Sequence, residues 1–163
     1  MTLPALRDIE ASGFGSGSYP IEVGFVDGAG SLFCSLINPE PDWQHWDDSA
    51  EALHGISRGV LATHGKSAAW VAQQLNERLR GQTVYCDAWA HAYPWLSRLF
   101  DAADSSPRFK LEDLRALLKP EEAARWDATV KAVRAELSIG RHRASSDAKV
   151  LQVALGRVSG GTL

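Results

Sequence analysis

Apolar residues change their period several times along the chain, and each change marks an element. Residues 3–10 read as a strand that Pro4 interrupts early, running into a Gly/Ser-rich loop at residues 12–18. Pro20-Ile-Glu-Val-Gly-Phe-Val26 alternates as a second strand, Asp27-Gly-Ala-Gly30 turns the chain, and residues 31–37 form a third strand. Strands joined by so short a glycine-bearing turn pair antiparallel. Asn38-Pro-Glu-Pro41 then closes the meander, because proline cannot donate to a continuing ladder.

Residues 42–63 keep no steady period. They carry Trp43, Trp46, a short helix over residues 49–53, and His54-Gly-Ile-Ser57. Residues 67–80 are an amphipathic helix, with Ala68, Val71, Leu75 and Leu79 at helical spacing and Gly81 as terminator. A short buried strand over residues 83–86 follows, then a helix carrying Trp95, Leu96, Leu99 and Phe100. Residues 108–111 read as a fifth strand, and Leu114, Leu117 and Leu118 as a short helix. Pro120 suits the start of a helix that runs over residues 121–137, with its acids early. A loop at residues 138–143 leads into a last helix at residues 144–158. Three antiparallel strands followed by alternating helix and strand predict an α/β sandwich around a mixed five-stranded sheet. No internal repeat is visible.

Length and composition narrow the class. The 163 residues fit one domain with a sizeable core, and 45% hydrophobic with 23% charged residues is the composition of a soluble globular protein. No apolar run approaches the ~20 residues of a membrane helix, and the start does not read as a secretory signal. With Cys34 and Cys86 alone, neither a disulfide framework nor a cysteine zinc site is suggested, and a reducing, cytoplasmic setting is expected. A net charge of −3 excludes a broadly basic nucleic-acid binder. It leaves room for an enzyme that grips a phosphate backbone locally.

Candidate chemistry begins at Asp8-Ile9-Glu10. In a strand, residues i and i+2 share a face, so these carboxylates project together, roughly 6–7 Å apart. Such a pair is either solvated at a strand end or relieved of its repulsion by an oxygen-preferring cation such as magnesium or manganese. Asp147 lines up with Leu151, Ala154 and Val158, the stripe that packs on the sheet. An acid there is either a helix-N-terminal residue favoured by the dipole or one that needs a cationic partner. His142 lies five residues earlier, about 500° around a helix, so it belongs to the preceding loop.

These motifs together resemble the DEDDh 3′–5′ exonuclease superfamily, a ribonuclease-H-like group. The resemblance rests on Asp8-x-Glu10, Glu10-Ala-Ser-Gly13, His54-Gly-Ile-Ser57, and His142-Arg-Ala144 leading into Asp147-Ala148. Compact size and the tryptophan-bearing segment at residues 42–48 look most like the small bacterial stand-alone exoribonucleases. The resemblance spans nearly the whole chain and implies a fold of antiparallel meander plus parallel strands flanked by helices. It implies that Asp8, Glu10 and Asp147 ligate two Mg2+ or Mn2+ ions and that His142 is the general base. Phe14 would pack on the terminal base, or else fold onto the core. The backbone at Ser12 and Gly13 would meet the terminal sugar, and His54 is either a substrate contact or a structural histidine. Arg141 and Arg143 could approach phosphates or form a solvated basic loop. The implied partner is a single-stranded nucleic-acid 3′ end, RNA before DNA, with 5′-monophosphates released, no membrane involved, and a homodimer compatible with the family.

One departure stands out. The superfamily has a second aspartate four residues before a leucine in the helix after the fourth strand; counting back from Leu96 lands on Ala92. Either Asp87 supplies the missing ligand by a shift in register, or the carboxylate is lost, which weakens one metal site and the rate. A silent nucleic-acid-binding module is the rival reading that Ala92 favours. The nuclease reading requires Asp8, Glu10 and Asp147 to converge in space, with Asp147 no more than about 10 Å from both strand acids, the reach of ligands to ions ~4 Å apart.

Overall fold

In the computed structural model, which describes residues 4–138 and 143–160, five strands form one sheet. The strands are β1 (Ala5–Ala11), β2 (Pro20–Val26), β3 (Leu32–Leu36), β4 (Thr83–Cys86) and β5 (Lys110–Asp113). Their order is β3-β2-β1-β4-β5, antiparallel across the first three and parallel from β1 through β4 to β5. This is the mixed α/β sheet that the sequence predicts, in ribonuclease-H-like topology.

The pleat of β1 sends alternate residues to two cores. Ala5 and Ile9 join Ile21, Val23, Phe25 and Val84 beneath α3 (Ala68–Leu79) and α4 (Trp89–Ala102). Leu6 joins the opposite core, where α5 (Pro120–Glu136) brings Trp126 and Val133 and α6 (Ala144–Val158) brings Ala148, Leu151 and Ala154. Asp8 and Glu10 continue the Leu6 face toward the C-terminal end of β1. The helices over that face stop short of covering them, and a pocket opens there.

Two elements differ from expectation. A helix at Arg58–His64 (α2) follows α1 (Asp48–His54), yet buries only Leu61, so it leaves no apolar stripe for periodicity to detect. The fifth strand begins two residues later than its apolar pattern suggests. Arg108 is taken up in side-chain and backbone bonds with Asn76 and Gly81, and Phe109 turns inward against Phe100 at 6.0 Å. A single 3₁₀ turn at Leu114–Leu117 carries the predicted short helix.

Gly65 clips α2 to the sheet edge. Asn38 N donates to Lys66 O at 2.8 Å and Lys66 N donates to Leu36 O at 2.9 Å, drawing the chain close enough that no side chain fits. A Cβ on Gly65 would sit 2.5 Å from Asn38 N and 2.8 Å from its Cα, in contact with backbone that cannot swing away. Gly65→Ala is therefore expected to destabilise the fold by on the order of 1–3 kcal/mol, the range of overpacked sites, read as a lowered urea midpoint at unchanged m-value.

Candidate metal centre and active site

The three acids do converge. Asp8, Glu10 and Asp147 each offer an oxygen, and these oxygens all lie within 4.8 Å of one another. β1 supplies two of them from one pleat face, in register with β2, where Asp8 stands opposite Gly24 and Glu10 opposite Glu22. Gly24 leaves the space above β2 for α6 to lie down on the sheet.

Glu22 fastens that helix. It is 1% exposed, and its carboxylate accepts from the Ala144 backbone N–H at 2.7 Å, in the first turn of α6. The same carboxylate takes the Arg143 guanidinium through two nitrogens, Nε at 3.1 and 3.2 Å and Nη2 at 2.7 Å. An acid at a helix N-terminus satisfies an orphan N–H and the positive end of the dipole. Asp147 follows within the first turn and is carried over the ends of Asp8 and Glu10. Arg143 is thus engaged by Glu22 in holding the fold, and Arg141 and His142 lie outside the described residues.

The electrostatics of the cluster invite a cation. Burial pushes the Asp8 carboxyl well above the usual range, and the neighbouring Asp147 adds to the shift. Glu10 is pushed up to about 11 by burial first, with the charges of Asp8 and Asp147 behind it. Three convergent hard oxygen donors, two of them on carboxyls that burial holds in the protonated form, fit a hard divalent cation.

A pocket of about 430 Å3 opens beside the cluster. Phe14, 64% exposed, forms one wall with His91 at 5.1 Å edge-on and Trp95 at 5.9 Å. Gly13 lies in the lining, and a Cβ there would meet His45 and Asp47 at 2.7 Å, so the tryptophan-bearing segment presses directly on this loop. Ser12 is fully buried behind it: its Oγ is 2.9 Å from His45 Nδ1 and accepts from Tyr19 N, while its backbone N–H donates to Tyr19 O. His54 also reaches the lining but is 2% exposed, with Nδ1 accepting from Ile56 N at 3.0 Å, and burial pulls its pKa down.

Ala92 lies in the pocket wall with the three acids, where the motif count puts it. Asp87 is otherwise engaged. Its Oδ2 accepts from Trp126 Nε1 at 3.2 Å, its Oδ1 accepts from Ala88 N at 3.0 Å, and Arg115 Nε approaches Oδ1 at 3.4 Å. Among the described residues it is not part of the three-acid cluster. Arg134 and Glu22 are site residues that the sequence reading did not single out. Glu22 could have been found from its place opposite Glu10 in the hairpin, since like charges directly across a ladder repel unless a cation intervenes.

The fold is that of the ribonuclease-H-like exonucleases. Among solved structures, exonuclease I from Methylocaldum szegediense superposes with a TM-score of 0.73 at 14% identity, covering 99% of this chain and 41% of that one. Exonuclease I of E. coli bound to a 5cy-dA13 oligonucleotide gives 0.67 at 12% identity, over 96% of this chain and 40% of that one. The zinc-bound form of the E. coli enzyme with single-stranded DNA gives 0.67 at 11% identity, over 99% and 42%. The chain therefore spans about two fifths of the length of the proteins it matches. No family model matches the sequence, and no curated protein matches it. The expected kinship with small exoribonucleases is not part of what these likenesses establish.

The raised carboxyls make a sign-definite pH prediction. A carboxyl whose folded pKa exceeds its unfolded value contributes stability that is fully present below the unfolded value, 4.5 for Glu10, and is lost as pH rises toward the folded one. In EDTA the melting temperature should therefore fall between pH 5 and 9. Saturating Mn2+ should replace the protons and flatten that slope, so the gap between the two curves widens with pH. Coincident curves would mean that the cluster does not bind the ion, and a flat curve in EDTA that it does not hold the protons.

Proposed function

We propose that the chain acts as a metal-dependent 3′–5′ exonuclease domain, removing nucleotides singly from the 3′ ends of single strands and releasing nucleoside 5′-monophosphates. The observation that carries this reading is the convergence of Asp8, Glu10 and Asp147 within 4.8 Å at the floor of a pocket walled by Phe14, His91 and Trp95. A bound Mg2+ or Mn2+ would supply Lewis acidity toward water and the phosphodiester.

The chain's own residues do the rest. Phe14 presents an exposed ring on which a terminal base can stack, and base–aromatic stacking tolerates any base. Gly13 gives the neighbouring wall its bare backbone. His142, two residues before the N-terminal turn of α6, is assigned the general base, its ordinary pKa near 6.5 suiting proton transfer close to neutrality. Ala92 leaves the site one carboxylate short of the superfamily's set, which lowers its rate. The domain is proposed to work in the cytoplasm, alone or as a homodimer.

RNA is the substrate assigned first, from the resemblance to small stand-alone exoribonucleases. DNA is the second reading, favoured by the DNA oligonucleotides named in the complexes of the structural neighbours. The pocket is confined and the net charge is −3, so binding should involve only a few nucleotides at a free end. With 5′-labelled 12-mers and Mn2+, the expected products are a one-nucleotide ladder shortening from the 3′ end. A 3′-phosphorylated strand and a circular strand should stay intact. Glu10→Gln should reduce the rate by ~10²-fold or more. Cutting of the circle would identify an endonuclease and contradict this reading, and the RNA and DNA arms of the same assay decide the substrate.

A further inference from the structure

Arg134 occupies a position for which no motif of the chain calls for a cation. It lies on α5 one turn beyond Val130, and both residues line the pocket that holds Asp8, Glu10, Ala92 and Asp147. Its Nη2 donates to Asp147 Oδ1 at 2.5 Å, and its Nη1 is buried with no hydrogen-bond partner. A buried N–H without an acceptor is unfavourable, and an anion entering this pocket would supply one.

A second arginine acts from the other side of the sheet. Arg7 is fully buried with no hydrogen-bond partner found for its three guanidinium nitrogens; burial pulls its pKa down, and the neighbouring Cys86 and Asp8 oppose that and favour its charge. Among the described residues Glu22 is paired with Arg143, and Asp87 shares Arg115 with Asp127. Asp8, Glu10 and Asp147 then face Arg134 and Arg7, which leaves one negative charge among these five groups. One divalent ion makes that one positive, which a single phosphodiester neutralises. Two ions would leave three positive charges against the same phosphodiester, an imbalance that a partly buried site does not sustain.

We propose that this site takes one divalent cation, with the Arg134 guanidinium supplying the positive charge that a second ion supplies in a four-carboxylate site. The absent acid at Ala92 and the added base at Arg134 are then two halves of one change. With Arg7 common to both, a four-acid, two-ion cluster and a three-acid, one-ion cluster with Arg134 carry the same net charge, so the substitution keeps the charge of the site while halving its metal. This deepens the exonuclease reading but rests on it only for taking the pocket as the reaction site.

The test counts manganese and does not depend on turnover. Calorimetric titration of the full chain with MnCl2 should give one ion per chain. Arg134→Gln should still bind one, about tenfold more tightly, because a positive charge beside the ion is removed. The double variant Ala92→Asp with Arg134→Gln should bind two, with the exchange-coupled electron paramagnetic resonance signal of neighbouring Mn2+ ions. Arg134→Lys keeps the charge and should bind one ion at the original affinity, which covers the case of Arg134→Gln failing to fold. Two ions in the unaltered chain would overturn the proposal. So would unchanged or weaker binding by folded Arg134→Gln, which would make Arg134 only a strut for Asp147, or no Mn2+ binding at all. If the manganese counts follow the expected pattern while no strand is shortened, the exonuclease reading falls and this one stands.

Discussion

Three mutually repelling carboxylates must be kept within ligand distance, and the architecture around them answers that demand. β1 is the middle strand of the sheet, pinned to β4 at Ala5 and Leu6 and to β2 along its length, so Asp8 and Glu10 cannot move apart without tearing the β2 ladder. Asp147 arrives from the far end of the chain, and its placement depends on Glu22 gripping the first turn of α6. That grip is itself an ionic interaction: a buried carboxylate divided between a backbone N–H and the Arg143 fork. Deleting Arg143 would leave the Glu22 carboxylate buried without its cation, so folding and site assembly are coupled at this residue.

The acids around the pocket differ in what neutralises them. Glu22 has Arg143, Asp147 has Arg134, and Asp87 has Arg115 with the Trp126 N–H. Asp8 and Glu10 enter no ion pair among the described residues. Their carboxyls are the ones that burial and neighbouring charge push upward. Charge that the protein leaves uncompensated in its own structure is charge available to a ligand. The pocket has the same contrast in its lining, with the hard oxygens of the acids on one side and the aromatic wall of Phe14, His91 and Trp95 on the other.

Much of this was legible in the sequence because it obeys period-two and period-3.6 patterns. The strand pleat put Asp8 beside Glu10, and the packing stripe of the last helix put Asp147 toward the sheet; the structure joins them. The count from Leu96 likewise put Ala92 in the pocket wall. What escaped has physical causes. Arg134 sits on α5, where exposed residues and helical arginines are common, and only tertiary packing against α6 turns it toward Asp147. The grip of Glu22 on Arg143 joins residues far apart in the chain, so neither a solvated loop nor a phosphate contact foretold it. Ser12, placed near the sugar by motif, has its hydroxyl and backbone taken by Tyr19, His45 and Asp47. The helix at Arg58–His64 buries one apolar side chain and so had no periodicity to read.

The central claim is that the acid cluster holds the metal and the aromatic wall holds the nucleotide. A crystal of the protein soaked with Mn2+ and a nucleoside 5′-monophosphate tests it most directly, through anomalous scattering at the manganese edge. The account predicts a manganese peak bonded to oxygens of Asp8, Glu10 and Asp147 at distances near 2.2 Å, the usual range for hard cations, with the base against Phe14 and the phosphate toward the ion. A well-diffracting soak with manganese bound only elsewhere, or with the nucleotide seated away from Phe14 and the three acids, would contradict it.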